Sequence, residues 1–386
     1  MTGPREILTR RRALVSFGVL AGLSGMGCAS SKAGTPAVTV RPRPGTLLWR
    51  RSQPLVDGQS VLGVVLAGGV LCVGDEFGNI YGLDAATGKT LWRRTFSSNA
   101  SGYLPLAAAD GRMFAVGSMR VAALSAATGQ QLWSVPAAGV EPSFPPQLPT
   151  YFVVCTNGVV CVLGVDGDVA GLDPRTGRPI WRYPPPVSAG FAAGAAADNG
   201  VLYVAEISPR GVTALDVRTG RPRWTTPTPS VASTLLVLGS VIAGTPTASP
   251  SYDAGQLTFA LDKATGRPLW RENFDTQTYG SIAGEGDRVY VQLDSGMAID
   301  ALAARSGATL WQQTFPSSSI PGTTVAAGGR LYCGFQDGVV RALSPATGAD
   351  VWQRTTSGEV FSVTPGPRII YVSDAFPPGT IYAIWP

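Results

Sequence analysis

The chain has no histidine among its 386 residues. That excludes the Ser-His-Asp and Cys-His nucleophilic mechanisms, every His-ligated zinc site and the commonest general base. Charge is sparse as well, at 14% of residues against a hydrophobic fraction of 45%. Such a chain is too apolar for disorder. There are five cysteines and no two are adjacent. The formal net charge of +5 is unevenly placed. Residues 1–44 hold seven of the 30 basic residues and one of the 25 acidic ones, which leaves 23 against 24, a net charge of −1, for residues 45–386. That balance implies no basic face, so nucleic acid is not an expected partner.

What the chain has in abundance is turn formers, 48 Gly and 31 Pro, and a repeated string. GLDAATGKTLW at 82–92 returns as AALSAATGQQLW at 122–133, AGLDPRTGRPIW at 170–181 and TALDVRTGRPRW at 213–224. It returns again as FALDKATGRPLW at 259–270, DALAARSGATLW at 300–311 and RALSPATGADVW at 341–352. A catalytic motif occurs once; a string that recurs at a near-fixed interval is a structural joint. A small residue and a Leu end one strand, and Asp or Ser starts the turn in every copy but that of Ala303. A Gly in the left-handed conformation then returns the chain into an antiparallel partner that carries Trp. Pro179, Pro222 and Pro268 stand between that Gly and the Trp. Proline cannot donate to a ladder, so the Trp-bearing strand is the outermost of its sheet.

Upstream of the motifs lie further hairpins, such as AADGRMFAVG, CTNGVVCVLG and AAGGRLYCGF, with Asp-Gly, Asn-Gly or Gly-Gly turns. Each unit is therefore four short antiparallel strands, A to D. Trp49, Trp92, Trp133, Trp181, Trp224, Trp270, Trp311 and Trp352 follow one another at intervals of 43, 41, 48, 43, 46, 41 and 41. That period, with four strands per unit, predicts an all-β, eight-bladed β-propeller. The N-terminal TLLWR has a D strand without A to C, and the C-terminal TIYAI ends where a D strand should follow. The two fragments complement each other and close the ring in one shared blade.

The leader TRRRALVSFGVLAGLSGMGCASS joins an arginine cluster to an apolar stretch, Ala13–Gly27. As a helix the stretch would rise about 22 Å, short of the roughly 30 Å hydrocarbon core, so residues 1–27 read as an export signal rather than a span. Arg11 and Arg12 before Ala13, Leu14 and Val15 resemble a twin-arginine signal; general secretory signals also carry arginines. Cys28 after Gly27 resembles a lipoprotein lipidation site, with Gly25 and Met26 departing from the usual Leu and small residue. Cleavage after Ala33 is the alternative. Residues 28–45 read as a flexible tether and 46–386 as the propeller.

The pattern small-Leu-Asp-x-x-Thr-Gly-x-x-x-Trp, repeated through 45–386, resembles the tryptophan-docking repeat of the pyrroloquinoline-quinone (PQQ) propellers. The resemblance implies that Trp49 to Trp352 pack over the Gly peptide and small residue of a neighbouring blade. That family holds quinoprotein alcohol and sugar dehydrogenases, with a quinone and calcium on the ring axis. It also holds non-catalytic scaffolds, including the lipid-anchored propeller of the outer-membrane β-barrel assembly machinery. The long insertions, adjacent cysteines and Glu, Asn and Asp set of the dehydrogenases are missing here. The expectation is therefore a monomeric ring without catalytic residues, cofactor or metal, exported to the cell membrane or periplasmic face. It is held there by a lipid anchor alone and binds proteins of the envelope. The rival is a PQQ- and calcium-dependent dehydrogenase.

Long connections should carry that binding. Val135–Pro149, Glu206–Gly211, Ala243–Gln256 and Ser373–Gly379 are all D–A or B–C connections, on one face of the ring. Phe144, Tyr252 and Phe376 are the candidate anchors, with Glu141, Glu206, Asp253 and Asp374 as a polar rim. Cys72 and Cys161 stand where other blades have Tyr203, Tyr290 and Tyr332, with Cys333 one residue later; all three read as core. Cys155 and Cys161 flank a TNGVV turn: a three-residue turn would let them face each other for a disulfide, a two-residue turn would not.

Overall fold

The computed structural model describes residues 42–52, 61–75, 78–96, 106–117, 120–136, 152–164, 168–184, 194–207, 209–246, 257–274, 278–293, 297–316, 321–374 and 379–386. They form eight four-stranded antiparallel sheets. In chain order the blades are 1 (61–95), 2 (106–136), 3 (152–183), 4 (194–227), 5 (232–273), 6 (278–314) and 7 (321–355). Blade 8 takes strands A to C from 360–384 and strand D from Leu47–Ser52. Each blade's A strand touches the A strands of its neighbours, and that of blade 8 touches that of blade 1, so the ring is closed.

Local chemistry explains the hairpins. Seven A–B turns have two residues. Asp110-Gly111, Asn157-Gly158 and Asn199-Gly200 have φ of 50°/69°, 45°/72° and 47°/77°. Two successive positive φ values match the strand twist, and Asn or Asp followed by Gly tolerates them most cheaply. The two-residue turn pairs Cys155 with Val160 and Cys161 with Val154, so the cysteines point to opposite sides of the sheet and stay free.

The core lies between blades rather than at the centre. Eight apolar clusters each fill one junction, the last two joining blade 8 to blades 7 and 1. The tryptophans seal the outer end of every junction. The Nε1 of Trp92 donates to Ala126 O in the next blade at 2.8 Å, and its ring lies against Gly129, where a Cβ would come within 2.5 Å of it. Trp49, Trp133, Trp181, Trp224, Trp270 and Trp311 repeat that bond, to Ala85, Pro174, Val217, Lys263, Ala304 and Pro345. The docking glycine therefore meets two demands, a positive φ and room for an indole. The small residue, by contrast, belongs to the Trp's own blade: Gly82 pairs with Trp92 across the sheet. Only the Gly and the carbonyl come from the neighbour.

Inside a blade the Trp leans on strand B. Tyr203–Trp224, Tyr290–Trp311 and Tyr332–Trp352 have ring centroids 5.9, 5.8 and 6.0 Å apart, a tilted arrangement that contributes about 1 kcal/mol beyond area burial. Blades 1 and 3 have Cys72 and Cys161 in that place, and these two blades have Gly82 and Gly171 instead of Ala beside the Trp. A Cβ on either Gly would lie 2.2–2.3 Å from the indole. The ring lies directly over the glycine, in the place a Cβ would take. Burial raises both thiols to about 12, so they remain neutral packing groups.

Candidate partner-binding face

Because strands alternate in direction, A–B and C–D turns lie on one face of the ring and B–C and D–A connections on the other. The first face is made of short turns: seven A–B turns of two residues, one of four (366–369) in blade 8, and C–D turns of five or six residues in blades 1 to 7. The second has longer connections: those after Pro136 and Pro246 span residues 137–151 and 247–256. Glu141, Phe144, Tyr252, Asp253 and Phe376 fall in such connections and lie outside the described residues, as do Arg11, Arg12 and Cys28.

Glu206 and Asp374 are described, and they occupy one structural position. Leu202 and Ile370 both pair with the last apolar residue of strand C, so Glu206 and Asp374 each stand four residues on, at the end of strand B. Asp75 holds the same place in blade 1. The half-buried Glu206 carboxyl takes hydrogen bonds from the Thr213 and Tyr183 hydroxyls, the latter from blade 3. Burial raises its pKa, and those two donors oppose the rise. Tyr183 is raised in turn by burial and then by the Glu206 charge. Glu206 thus remains a candidate contact on the loop face. The segment 206–211 is no long loop, however: Glu206 pairs with Gly211 and Ile207 with Arg210.

Asp374 is not the rim residue that the sequence suggested. It is buried, and it accepts from Thr380 N at 2.5 Å, Ser357 Oγ at 2.7 Å and the Tyr382 hydroxyl at 3.0 Å. Buried carboxylates persist only when satisfied in this way, and this one braces the B–C connection of the closing blade. Asp75 does the same next door, accepting from Asn79 N and Nδ2 at 2.8 Å each and the Tyr81 hydroxyl at 3.2 Å. This pair of Asp–Tyr braces in adjacent blades was missed by sequence reading. Superposing the small-Leu positions of blades 1 and 8 would have found it.

The same bonds test the quinone reading. A quinone-linked calcium needs several carboxylate or amide oxygens converging near the axis. Here Asp75, Asp374, Asp168 and Asp300 lie in four blades, each engaged within its own: Asp168 with Arg182, and Asp300 with Gln312 at 2.8 Å. Among the described residues no three of His, Cys, Asp or Glu come together in a way that could hold a metal ion. This donor set does not fit the group.

A family model described as outer membrane protein assembly factor BamB matches residues 37–186, 165–247 and 247–370. The chain belongs to this family. It is 27% identical over 312 residues to the BamB of Burkholderia pseudomallei, covering 78% of each chain. It is 30% identical to that of Nitrosomonas eutropha over 139 residues, 35% of this chain and 31% of the other. Among solved structures, BamB from Moraxella catarrhalis superposes with a TM-score of 0.65 at 18% identity, over 86% of this chain and 98% of that one. The quinohemoprotein alcohol dehydrogenase of Comamonas testosteroni superposes with a TM-score of 0.62 at 15% identity, over 88% and 76%. Both likenesses speak to the shared ring, and the ring alone does not decide between assembly factor and dehydrogenase.

Proposed function

We propose that this BamB-family propeller is an exported envelope scaffold, anchored by a lipid on Cys28, that docks protein partners on its B–C and D–A face. The observation that carries the reading is the contrast between the faces. Seven two-residue A–B turns hold one face at a minimum, while chain length accumulates on the other. Loops on a rigid ring present contact residues at little ordering cost. Export by residues 1–27 and the anchor at Cys28 rest on the leader sequence. The relatives' description as assembly factors supports a protein partner over a small-molecule substrate.

Fractionation tests the anchor. The wild-type chain should sediment with membranes and incorporate labelled fatty acid, and Cys28→Ser should lose the label; an unlabelled wild type would contradict lipidation. Crosslinking in intact cells tests the face. Replacing Phe144, Tyr252 and Phe376 together by Ser should abolish adducts that form in the parent, with an unchanged melting temperature. Adducts that persist would overturn the assignment. For the dehydrogenase reading, incubation with PQQ and calcium should give no quinone absorbance and no dye-linked oxidation of alcohols or sugars.

A further inference from the structure

The short-turn face has an uneven charge that the whole-chain balance hides. From the first turn residue to the residue before Trp, the C–D turns of blades 3 to 6 carry eight basic residues against three acidic ones. Those of blades 1, 2 and 7 carry one against two. Ion pairs consume part of the excess: Arg223 with Asp216 at 2.6 Å, Lys263 with Asp198 at 2.8 Å and Arg305 with Asp262 at 3.8 Å. Arg178, Arg218, Arg221 and Arg267 are exposed, and none forms an ion pair among the described residues. Three of them, Arg178, Arg221 and Arg267, occupy the same site, immediately after the docking Gly in successive blades, so the cations run as an arc along the outer rim.

Two further observations indicate what covers the arc. Leu48, Leu91, Leu132, Ile180, Leu310 and Val351, the exposed large hydrophobics among the described residues, all stand three residues after the docking Gly, 37–48% accessible. Ile180 and Leu310 stand in blades 3 and 6, among the cations, and the other four continue the rim through blades 7, 8, 1 and 2. The chain outside the described residues also enters on this face. Gly45 replaces the docking Gly in blade 8, lying against Trp352, so residues 1–41 join the ring at the C–D turn level.

We propose that the C–D turn rim of blades 3 to 6 is a docking surface for an anionic lipid bilayer. A negatively charged surface matches a face of short turns on which Arg178, Arg218, Arg221 and Arg267 form no ion pair among the described residues, and aliphatic tips on the same rim, Ile180 beside Arg178 among them, suit the headgroup boundary better than a nucleic acid or an acidic protein. The tether enters through blade 8, across the ring from the arc, so the two attachments hold the face parallel to the membrane. The loop face is then turned away from the lipid. The arc acts whether or not Cys28 is acylated.

The test uses the full chain with Cys28→Ser, so that no acyl chain contributes, and vesicles of phosphatidylcholine with or without 30% phosphatidylglycerol. The parent should co-sediment with the anionic vesicles only, and high salt should release it. Replacing Arg178, Arg218, Arg221 and Arg267 by Gln should weaken binding at least about tenfold, with an unchanged melting temperature; replacing all four by Lys should preserve it. Equal binding of the Gln variant would overturn the proposal, because both proteins share the leader. So would a parent that ignores anionic vesicles but is retained on polyglutamate or DNA, which would assign the arc to a protein or nucleic acid.

Discussion

Seven of the eight joints are written in one continuous piece of chain, and the eighth is assembled from two. In blade 1 the turn is held by Gly88 N to Asp84 O and Asp84 N to Lys89 O, both 2.8 Å. In blade 8 the same bonds run between the chain's two ends: Gly45 N to Trp385 O at 2.9 Å and Trp385 N to Thr46 O at 2.8 Å. Arg354 clamps Gly45 O at 2.7 Å just as Arg94 clamps Gly129 O at 2.7 Å. One bond is not copied: the Trp352 Nε1 is buried without a partner among the described residues, whereas the seven other docking indoles donate to a turn carbonyl. The shape of the joint thus survives a break in the backbone, while one hydrogen bond does not. Packing is the shared content of the repeat, and the indole bond is a local addition.

The contrast can be tested by unequal damage. The largest loss is expected at a continuous joint, from Gly129→Val. It combines φ +69° with a Cβ 2.5 Å from Trp92 and should cost more than about 3 kcal/mol in urea unfolding. Gly45→Val, where the nearest indole atom is 3.1 Å from the Cβ and the turn is discontinuous, should cost less. Next comes Gly82→Ala, about 1–3 kcal/mol because its Cβ would lie 2.2 Å from the Trp92 indole; equal tolerance of Gly82→Ala and Ala123→Gly would deny that the indole needs the bare glycine. Trp92→Phe should cost about 1 kcal/mol more than Trp352→Phe, since only the first loses a bonded donor. Equal losses would mean that the seam indole is satisfied in solution.

The smallest effect lies away from the seam. Burial raises the Asp300 carboxyl, partly offset by the Gln312 amide. A raised folded-state pKa means that this group's contribution is fully present below the ordinary carboxylate range and is lost as pH rises through the raised value. Asp300→Asn should therefore flatten the decline in melting temperature above pH 4, leaving the Trp352 comparison untouched.

The joints were legible in sequence because each column answers to one physical demand, and because TLLWR and TIYAI are incomplete in complementary ways. Asp374 was not, because its partner Tyr382 becomes visible only once strand register is known; until then an Asp in a Pro-rich connection reads as solvated. The stretch from Glu206 to Gly211 read as one of the long connections, yet its flanks pair through Arg210. The cationic arc was averaged away by a net charge of −1 over residues 45–386, although Arg178, Arg221 and Arg267 stand in one column of the repeat. Side-chain chemistry was readable; what it faces depended on register.

Ser52 and Thr380 are directly opposed across the seam, with hydroxyls 3.3 Å apart and 328 positions between them in the chain. Changing both to Cys should produce a disulfide on mild oxidation, seen as the loss of two reactive thiols. Closing so long a loop should then add on the order of 5 kcal/mol of stability, reversed by reduction. Thiols that stay free and titratable in the folded protein would mean that the ends do not share a sheet, and the closed ring would be wrong.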